Sequence, residues 1–170
     1  MFAARTRSGH SRAARTALLC LVLAACGSGS SLEGSVSDLI PLDFDQVQVQ
    51  IGGDAVAIIY LKALPGGGGN DTVFKVTANT SGLDLSQPLQ INLVELVGKA
   101  IRGAASRAVS GDDRRTFSDL ERGFIRFDDV PAVGNKVSGS FSCTFAQGAG
   151  FGAGKTAFGD FTATATEAGQ

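Results

Sequence analysis

The sequence is poor in the residues on which catalytic and ligand-binding sites most often depend. It has no tryptophan, one tyrosine, Tyr60, and one histidine, His10. So few large aromatic residues make a sugar-stacking cleft a poor expectation. Neither sign of charge dominates, because 15 basic residues stand against 16 acidic ones. The composition therefore indicates no general attraction to nucleic acid.

Charge-free apolar stretches are short. Residues 16–25 form one that cannot span a bilayer as a helix, which needs ~20 apolar residues. A positively charged N-terminal region precedes it, and this layout is typical of a secretory signal. The positive charges are Arg5, Arg7, Arg12 and Arg15.

The signal ends in Leu23-Ala24-Ala25-Cys26, which resembles the lipobox of bacterial lipoproteins. In that family the cysteine thiol receives a diacylglycerol, the preceding peptide is removed and the new amino terminus is acylated. The resemblance implies a signal peptide over residues 1–25 and a lipid anchor on Cys26. Gly27 stands where an Asp retains many Gram-negative lipoproteins in the inner membrane, which favours the outer membrane, with the protein facing the periplasm or the surface. An ordinary signal cleaved after Ala25 is the alternative.

Removal of residues 1–25 changes the chemistry open to the protein. The only histidine is lost with four basic residues, so 11 basic residues remain against 16 acidic ones, a net charge of −5. Without histidine, Ser-His-Asp and Cys-His nucleophile systems and histidine metal sites are excluded. Cys143 is left without a disulfide partner, since Cys20 is removed and Cys26 carries lipid. It shares the face of Phe141 and Phe145 in an alternating segment, which predicts a buried, inert thiol.

The mature chain is expected to have two parts. Residues 26–35 are rich in Gly and Ser and predict a lipidated, flexible tether. Residues 36–170 are long enough for a single β-rich domain with a core. Strict alternation of apolar and polar residues over 46–51 predicts a strand, and Gly52-Gly53-Asp54 then predicts a hairpin turn into a strand over 55–62.

Further alternating segments predict strands over 72–78, 89–93 and 124–127. Residues 94–108 break the alternation, because Val94, Val97 and Ile101 fall at helical spacing. A short helix is therefore expected there, although Gly98 and Gly103 weaken it, each by about 1 kcal/mol. The expected fold class is an all-β antiparallel sandwich, with a small β-barrel as the alternative and at most this one helix.

The C-terminal third contains a duplicated theme. Residues 139–145 and 159–165 match in Gly, Phe and Thr, and we interpret them as two strands joined by the Gly-rich stretch 147–154. Residues 149–156 resemble a Walker A loop, but the following residues alternate as a strand. A phosphate-binding loop must open a helix, so neither a bound nucleotide nor another resident cofactor is expected.

Calcium is the one metal that the sequence suggests. Residues 66–74 resemble a single copy of the nonapeptide of calcium-binding repeat proteins, with Asp71 as the acidic ligand. Those repeats hold calcium between stacked copies, and no second copy occurs here. Asp128 and Asp129 form an acidic pair near a predicted turn and are further candidates. A flexible Gly-rich connection after Pro65 is the simpler explanation of Asp71, and a solvated turn is the simpler explanation of Asp128 and Asp129.

The remaining asymmetry is one of charge. Residues 99–126 carry seven basic residues against four acidic ones, whereas the rest of the mature chain is net −8. This basic segment could contact an envelope protein or lipopolysaccharide phosphate, or it could be a solvated face. The sequence predicts a non-catalytic envelope lipoprotein that binds or scaffolds another envelope component. A domain carrying a small apolar or lipid ligand is the alternative, and a carboxylate-dependent, glycosidase-type hydrolase is a third reading.

Overall fold

The computed structural model describes residues 29–112 and 115–169, and over these residues the fold is all-β, as the sequence predicts. Two short 3₁₀ turns, Ser35–Asp38 and Pro65–Gly67, are the helical elements of this part of the chain. The strands are β1 Gln46–Gly52, β2 Ala55–Ala63, β3 Asn70–Asn79, β4 Leu89–Asn92, β5 Leu96–Val97, β6 Ala100–Ile101, β7 Gly103–Ala108, β8 Arg115–Thr116, β9 Leu120–Phe127, β10 Lys136–Phe145 and β11 Thr156–Glu167.

Nine of these strands form one continuous sheet, in the order β4-β9-β10-β11-β1-β2-β3-β7-β8, and β5 pairs only with β6. Every pair is antiparallel except β1 with β11, which is parallel. The sheet is strongly curled into a half-barrel, so the two packed sheets of the expected sandwich are replaced by one. Register shifts after Tyr60 and after Thr144 contribute to the curl, because a bulge increases local twist.

The helix expected over residues 94–108 is wrong, since this segment forms β5, β6 and β7. Gly98 takes a positive φ of 67°, a left-handed conformation that no helix interior contains. Gly103 lies against Leu93, where a Cβ atom would come within 2.5 Å of the leucine Cβ. Glycine at these two positions serves a turn and a close packing contact, so the apparent helical spacing is coincidental.

Leu93 brings the two ends of the curl together. Its N–H donates to the carbonyl of Gly123 in β9 (3.0 Å), and its carbonyl accepts from the N–H of Gly103 in β7 (2.7 Å). The side chain of Leu93 is fully buried between these two glycines. One residue therefore links strands that stand far apart in the order of the sheet.

Aromatic side chains fill the inside of the curl. Phe141 stacks on Phe74 at 5.6 Å between ring centroids and lies 5.8 Å from the ring of Tyr60. The Tyr60 hydroxyl donates to the carbonyl oxygen of Asp160 (2.8 Å), which satisfies the one polar atom of this ring. Six large aromatic residues are at most 2% exposed: Tyr60, Phe74, Phe127, Phe141, Phe145 and Phe161.

Both predicted hairpins are confirmed. β1 and β2 pair in register around the glycine turn, and β10 and β11 pair antiparallel from Lys136↔Thr164 to Thr144↔Thr156. Residues 149–155 of the Walker-like stretch lie in the turn between β10 and β11, where Gly152 and Gly154 have positive φ, and Thr156 begins β11. A strand follows this turn, as the alternation predicted.

The N-terminal segment is not a free tether throughout. The N–H of Ser31 donates to the carbonyl of Asp160 (3.0 Å), and Glu33 exchanges two backbone hydrogen bonds with Phe158. Leu32 between them is buried. Residues 30–35 thus run antiparallel to the first half of β11. They pack as part of the β-domain, which was expected to begin only at residue 36. Cys26 and the expected signal peptide lie outside the described residues.

Candidate functional site

An open cleft of about 280 Å³ lies beside the C-terminal ends of β2 and β7 and the start of β3. We call it the Arg107 cleft. Its wall combines apolar side chains with two cations and two carboxylates, a mixture typical of sites that bind small polar ligands. The lining residues are Pro41, Asp43, Lys62, Asp71, Val73, Arg107 and Val109.

Strand alternation directs Arg107 inward. Gly103, Ala105 and Arg107 are the buried positions of β7, and Ser106 between them is more exposed. Ala105 belongs to the main hydrophobic core, so Arg107 continues the core-facing row of its strand into the cleft. The Arg107 side chain is only 10% exposed.

The guanidinium of Arg107 has few partners among the described residues. Nη1 lies 3.4 Å from Oδ2 of Asp112. Nε is enclosed by protein and has no hydrogen-bond partner. A guanidinium carries five N–H donors, and buried donors are nearly always satisfied. Arg107 is therefore a buried cation with unused hydrogen-bonding capacity.

Arg102 is the contrasting buried arginine. Its Nε donates to Glu95 (3.3 Å), and its Nη1 donates to the carbonyls of Asn79 (2.6 Å) and Ser81 (3.2 Å). These bonds hold two loops together, which gives Arg102 a structural role. The two arginines are similarly buried, but the N–H donors of Arg107 have fewer hydrogen-bond partners among the described residues than those of Arg102.

The other charged groups of the cleft are partly engaged. Lys62 lies 3.6 Å from Oδ1 of Asp45. Asp71 accepts a hydrogen bond from the backbone N–H of Ser110 through Oδ1 (2.7 Å). Asp43 makes no salt bridge within the described part of the chain. The cleft can therefore present positive and negative groups to one ligand.

The three calcium candidates do not come together. Asp71 lies in the cleft, whereas Asp128 pairs with Arg126 (2.9 Å) and Asp129 accepts from the N–H and the hydroxyl of Ser138 (2.9 and 2.7 Å). Within residues 29–112 and 115–169 no three His, Cys, Asp or Glu residues are grouped to hold a metal. Calcium binding stays a prediction.

The basic segment 99–126 is divided among several strands. Arg102 and Arg107 are buried, whereas Arg115 and Arg126 are exposed on β8 and β9, which lie at different places in the sheet. Of these four arginines, only Arg107 reaches the cleft. Contact through this segment as one surface stays a prediction.

Burial in the core makes two potential nucleophiles, the Cys143 thiol and the Tyr60 hydroxyl, unreactive. Cys143 is free and buried, as predicted, and burial raises the pKa of its thiol to about 12. Burial, and to a smaller extent the charge of Asp160, raise the pKa of Tyr60 far above its usual value. Neither group supplies a nucleophile near neutral pH.

The sequence pattern places Arg107 in a basic segment and does not connect it with Asp43. The signal that was missed is the row Gly103, Ala105, Arg107, in which a cation occupies a core-facing position. Asp43 could not be assigned to the cleft by pattern, because residues 39–45 have no regular structure before β1.

In the described part of the chain, no helix combines the length and the apolar character needed to cross a membrane. Comparison with known proteins identifies no relative. No family model matches the chain, and no curated protein or solved structure matches it.

Proposed function

We propose that the protein is a non-catalytic lipoprotein of the bacterial cell envelope, anchored through Cys26, and that it binds another envelope component in the Arg107 cleft. The observation that carries the proposal is the buried, incompletely paired guanidinium of Arg107 in an open cleft. The lipobox resemblance supplies the location, and Gly27 favours the outer membrane.

The N-terminal segment supports a short connection to the membrane. Gly29 is the third residue after Cys26, so extended chain between them reaches about 10 Å. Gly29 lies beside Thr162 of β11. A lipid on Cys26 would therefore hold the β-domain close to the headgroups.

The direction of the segment supports an accessible cleft. Followed back from Ser35 to Gly29, the segment leads along β11 toward Glu167, which pairs with Ile51 beside the β1–β2 turn. The cleft is lined at the other ends of β2 and β3. At Gly29 the segment thus heads away from the cleft, which supports a cleft that stays accessible if Cys26 carries the anchor.

The centre of the half-barrel gives less support to a carrier of apolar ligands. Its space is occupied by the six buried aromatic rings. The hydrolase reading has one observation in its favour, because Asp43 and Asp71 line the same cleft. A glycosidase needs one carboxyl kept protonated, typically by an apolar pocket, and here two cations share the space. We therefore prefer binding to catalysis.

Two measurements in cells test the proposal. Wild-type protein labels with palmitate and the Cys26→Ala variant does not, whereas unlabelled wild-type protein would overturn the anchor. A photocrosslinker at Val109, on the cleft, yields a defined adduct with an envelope component that weakens in Arg107→Lys. A crosslinker at exposed Leu96 is the matched control. Binding in the cleft would be contradicted if the crosslinkers at Val109 and Leu96 gave equal amounts of adduct and Arg107→Lys changed neither.

A further inference from the structure

The charges of the side chains that line the Arg107 cleft balance, while Asp45 and Asp112 lie against Lys62 and Arg107 from outside the lining. Lys62 and Arg107 contribute two positive charges, and Asp43 and Asp71 contribute two negative ones. A free anion entering this space gains from the cations but is repelled by the carboxylates. A free cation meets the opposite pattern. Both kinds of simple ion are therefore disfavoured relative to a ligand that carries both charges.

The two carboxylates keep free acceptor capacity. Asp71 uses Oδ1 for the Ser110 N–H and has Oδ2 left, and Asp43 makes no salt bridge with the described residues. On the positive side, within residues 29–112 and 115–169 Nη1 of Arg107 lies 3.4 Å from Asp112, and its enclosed Nε has no hydrogen-bond partner. The side chains of Arg107, Asp43 and Asp71, each with hydrogen-bonding capacity left over, thus line the same cleft.

Apolar contact comes from Pro41, Val73 and Val109. Their presence favours a ligand with a short apolar portion between or beside its charged groups. A volume of about 280 Å³ limits that ligand to a small molecule or to the end of a larger one.

We propose that the Arg107 cleft binds a small zwitterion, whose oxyanion lies against Arg107 and whose ammonium group lies against Asp43 and Asp71. The chemistry is shared by a phosphoethanolamine headgroup and by a free amino acid. This inference deepens the proposed function, since it names the ligand chemistry of the same cleft. It concerns the purified protein and does not depend on lipidation.

The test is an NMR titration of the purified full-length protein that follows the side-chain Nε–H signals of its arginines. Four probes are compared: O-phosphoethanolamine, L-valine, acetate and ethylammonium. We expect saturable movement of the Arg107 signal at about tenfold lower concentration of a zwitterion than of either single ion, a factor equivalent to ~1.4 kcal/mol. The stronger of the two zwitterions distinguishes the headgroup from the amino acid. The Arg102 signal stays in place, because Glu95 already accepts from its Nε.

Matched variants separate the two halves of the site. Asp43→Asn weakens zwitterion binding but leaves acetate binding unchanged or stronger, because it removes a repulsive charge. Asp54→Asn, in the β1–β2 turn, alters neither. A folding defect would weaken the binding of both probes, so it cannot explain a loss that is confined to the zwitterion.

Three outcomes would overturn the inference. Acetate that binds as tightly as the zwitterions would reduce the cleft to an anion site. Ethylammonium that binds as tightly would reduce it to a cation site. An Arg107 signal that no probe moves would exclude ligand contact with this guanidinium. Each result leaves the membrane anchor and the cellular crosslink as separate questions, so failure here is distinguishable from failure of the proposed function.

Discussion

Individual residues in this fold are constrained mainly by close backbone approach and by burial. Gly159 of β11 allows the Ser31 carbonyl, the Tyr60 hydroxyl and the Phe141 ring to approach its Cα. Cys143 is enclosed by the same core. These constraints are local, so single substitutions test them.

Gly159→Ala is expected to destabilise the protein by about 1–3 kcal/mol, the usual cost of overpacking. The new Cβ would collide with the Ser31 carbonyl oxygen and come within 3.0 Å of Tyr60 Oη. Denaturant unfolding measures the change. Gly68→Ala is the control, because Gly68 has φ −75° and open space around it, and it should be neutral or slightly stabilising. Equal effects of the two substitutions would contradict the packing of Ser31 on β11.

Cys143 is expected to resist alkylation by iodoacetamide at pH 8 in the native state and to react when unfolded. Its pKa of about 12 leaves almost no thiolate at that pH, and burial blocks access. The tryptic peptide between Lys136 and Lys155 contains Cys143 and no other cysteine, so mass spectrometry of this peptide measures the alkylation of Cys143. Rapid labelling of native protein would show that the β10 face is open.

Asp129 should make the turn before β10 sensitive to acid. Hydrogen bonds from Ser138 lower its pKa below the ordinary 3.8. Their stabilisation is therefore fully present above pH 3.8 and is lost as the pH falls through the lower folded-state pKa. The loss is measured as faster hydrogen exchange of the Ser138 amide at low pH, compared between wild type and Asp129→Asn. A variant with the same pH profile as wild type would exclude Asp129 as the cause.

At the scale of elements, the half-barrel depends on two pieces that lie outside its regular strands. Residues 30–35 cover the first half of β11, where β1 does not pair. Leu93 joins the ends of the curl through two backbone hydrogen bonds. Both features provide hydrogen-bond partners for backbone N–H and C=O groups that a curled sheet would otherwise leave unpaired.

Glu33→Pro tests the N-terminal segment. Proline removes the N–H that donates to the Phe158 carbonyl (2.8 Å), so we expect a loss of about 1–3 kcal/mol in the free energy of unfolding. We also expect faster exchange of the Phe158 amide, which donates to the Glu33 carbonyl (2.9 Å). Glu33→Ala keeps the N–H and is the control. Unchanged exchange in Glu33→Pro would mean that the segment does not cover β11.

At the scale of the whole molecule, one main core connects nearly every strand. Its members come from β1, β2, β3 and β4, from β7, and from β9, β10 and β11, together with Leu32, Val36, Ile40, Leu93 and Phe117. A core of this kind has no internal boundary at which one part could unfold alone.

The protein is therefore expected to unfold in a single transition. Circular dichroism, which reports the sheet, and Cys143 labelling, which reports the core, should give the same denaturant midpoint. The buried Cys143 serves as the probe without any substitution. Two separated midpoints would divide the half-barrel into independent units.

Much of the strand content follows from the sequence alone. Alternation over β1 and β10, and the glycines at Gly52-Gly53, determine faces and hairpins through local geometry, and these predictions are confirmed. The helix over 94–108 failed because a helical spacing of apolar residues cannot report that Gly98 turns the chain or that Gly103 packs on Leu93.

The sequence by itself determined an all-β fold and the inert burial of Cys143, because both follow from period-two patterning within one strand. Only the tertiary structure decided that the sheet is a single half-barrel, that residues 30–35 belong to it, and that Arg107 shares a cleft with Asp43. These features depend on pairing between segments distant in the chain. Side-chain alternation specifies which face a residue takes, but it carries no information about which strand, loop or charge will lie opposite.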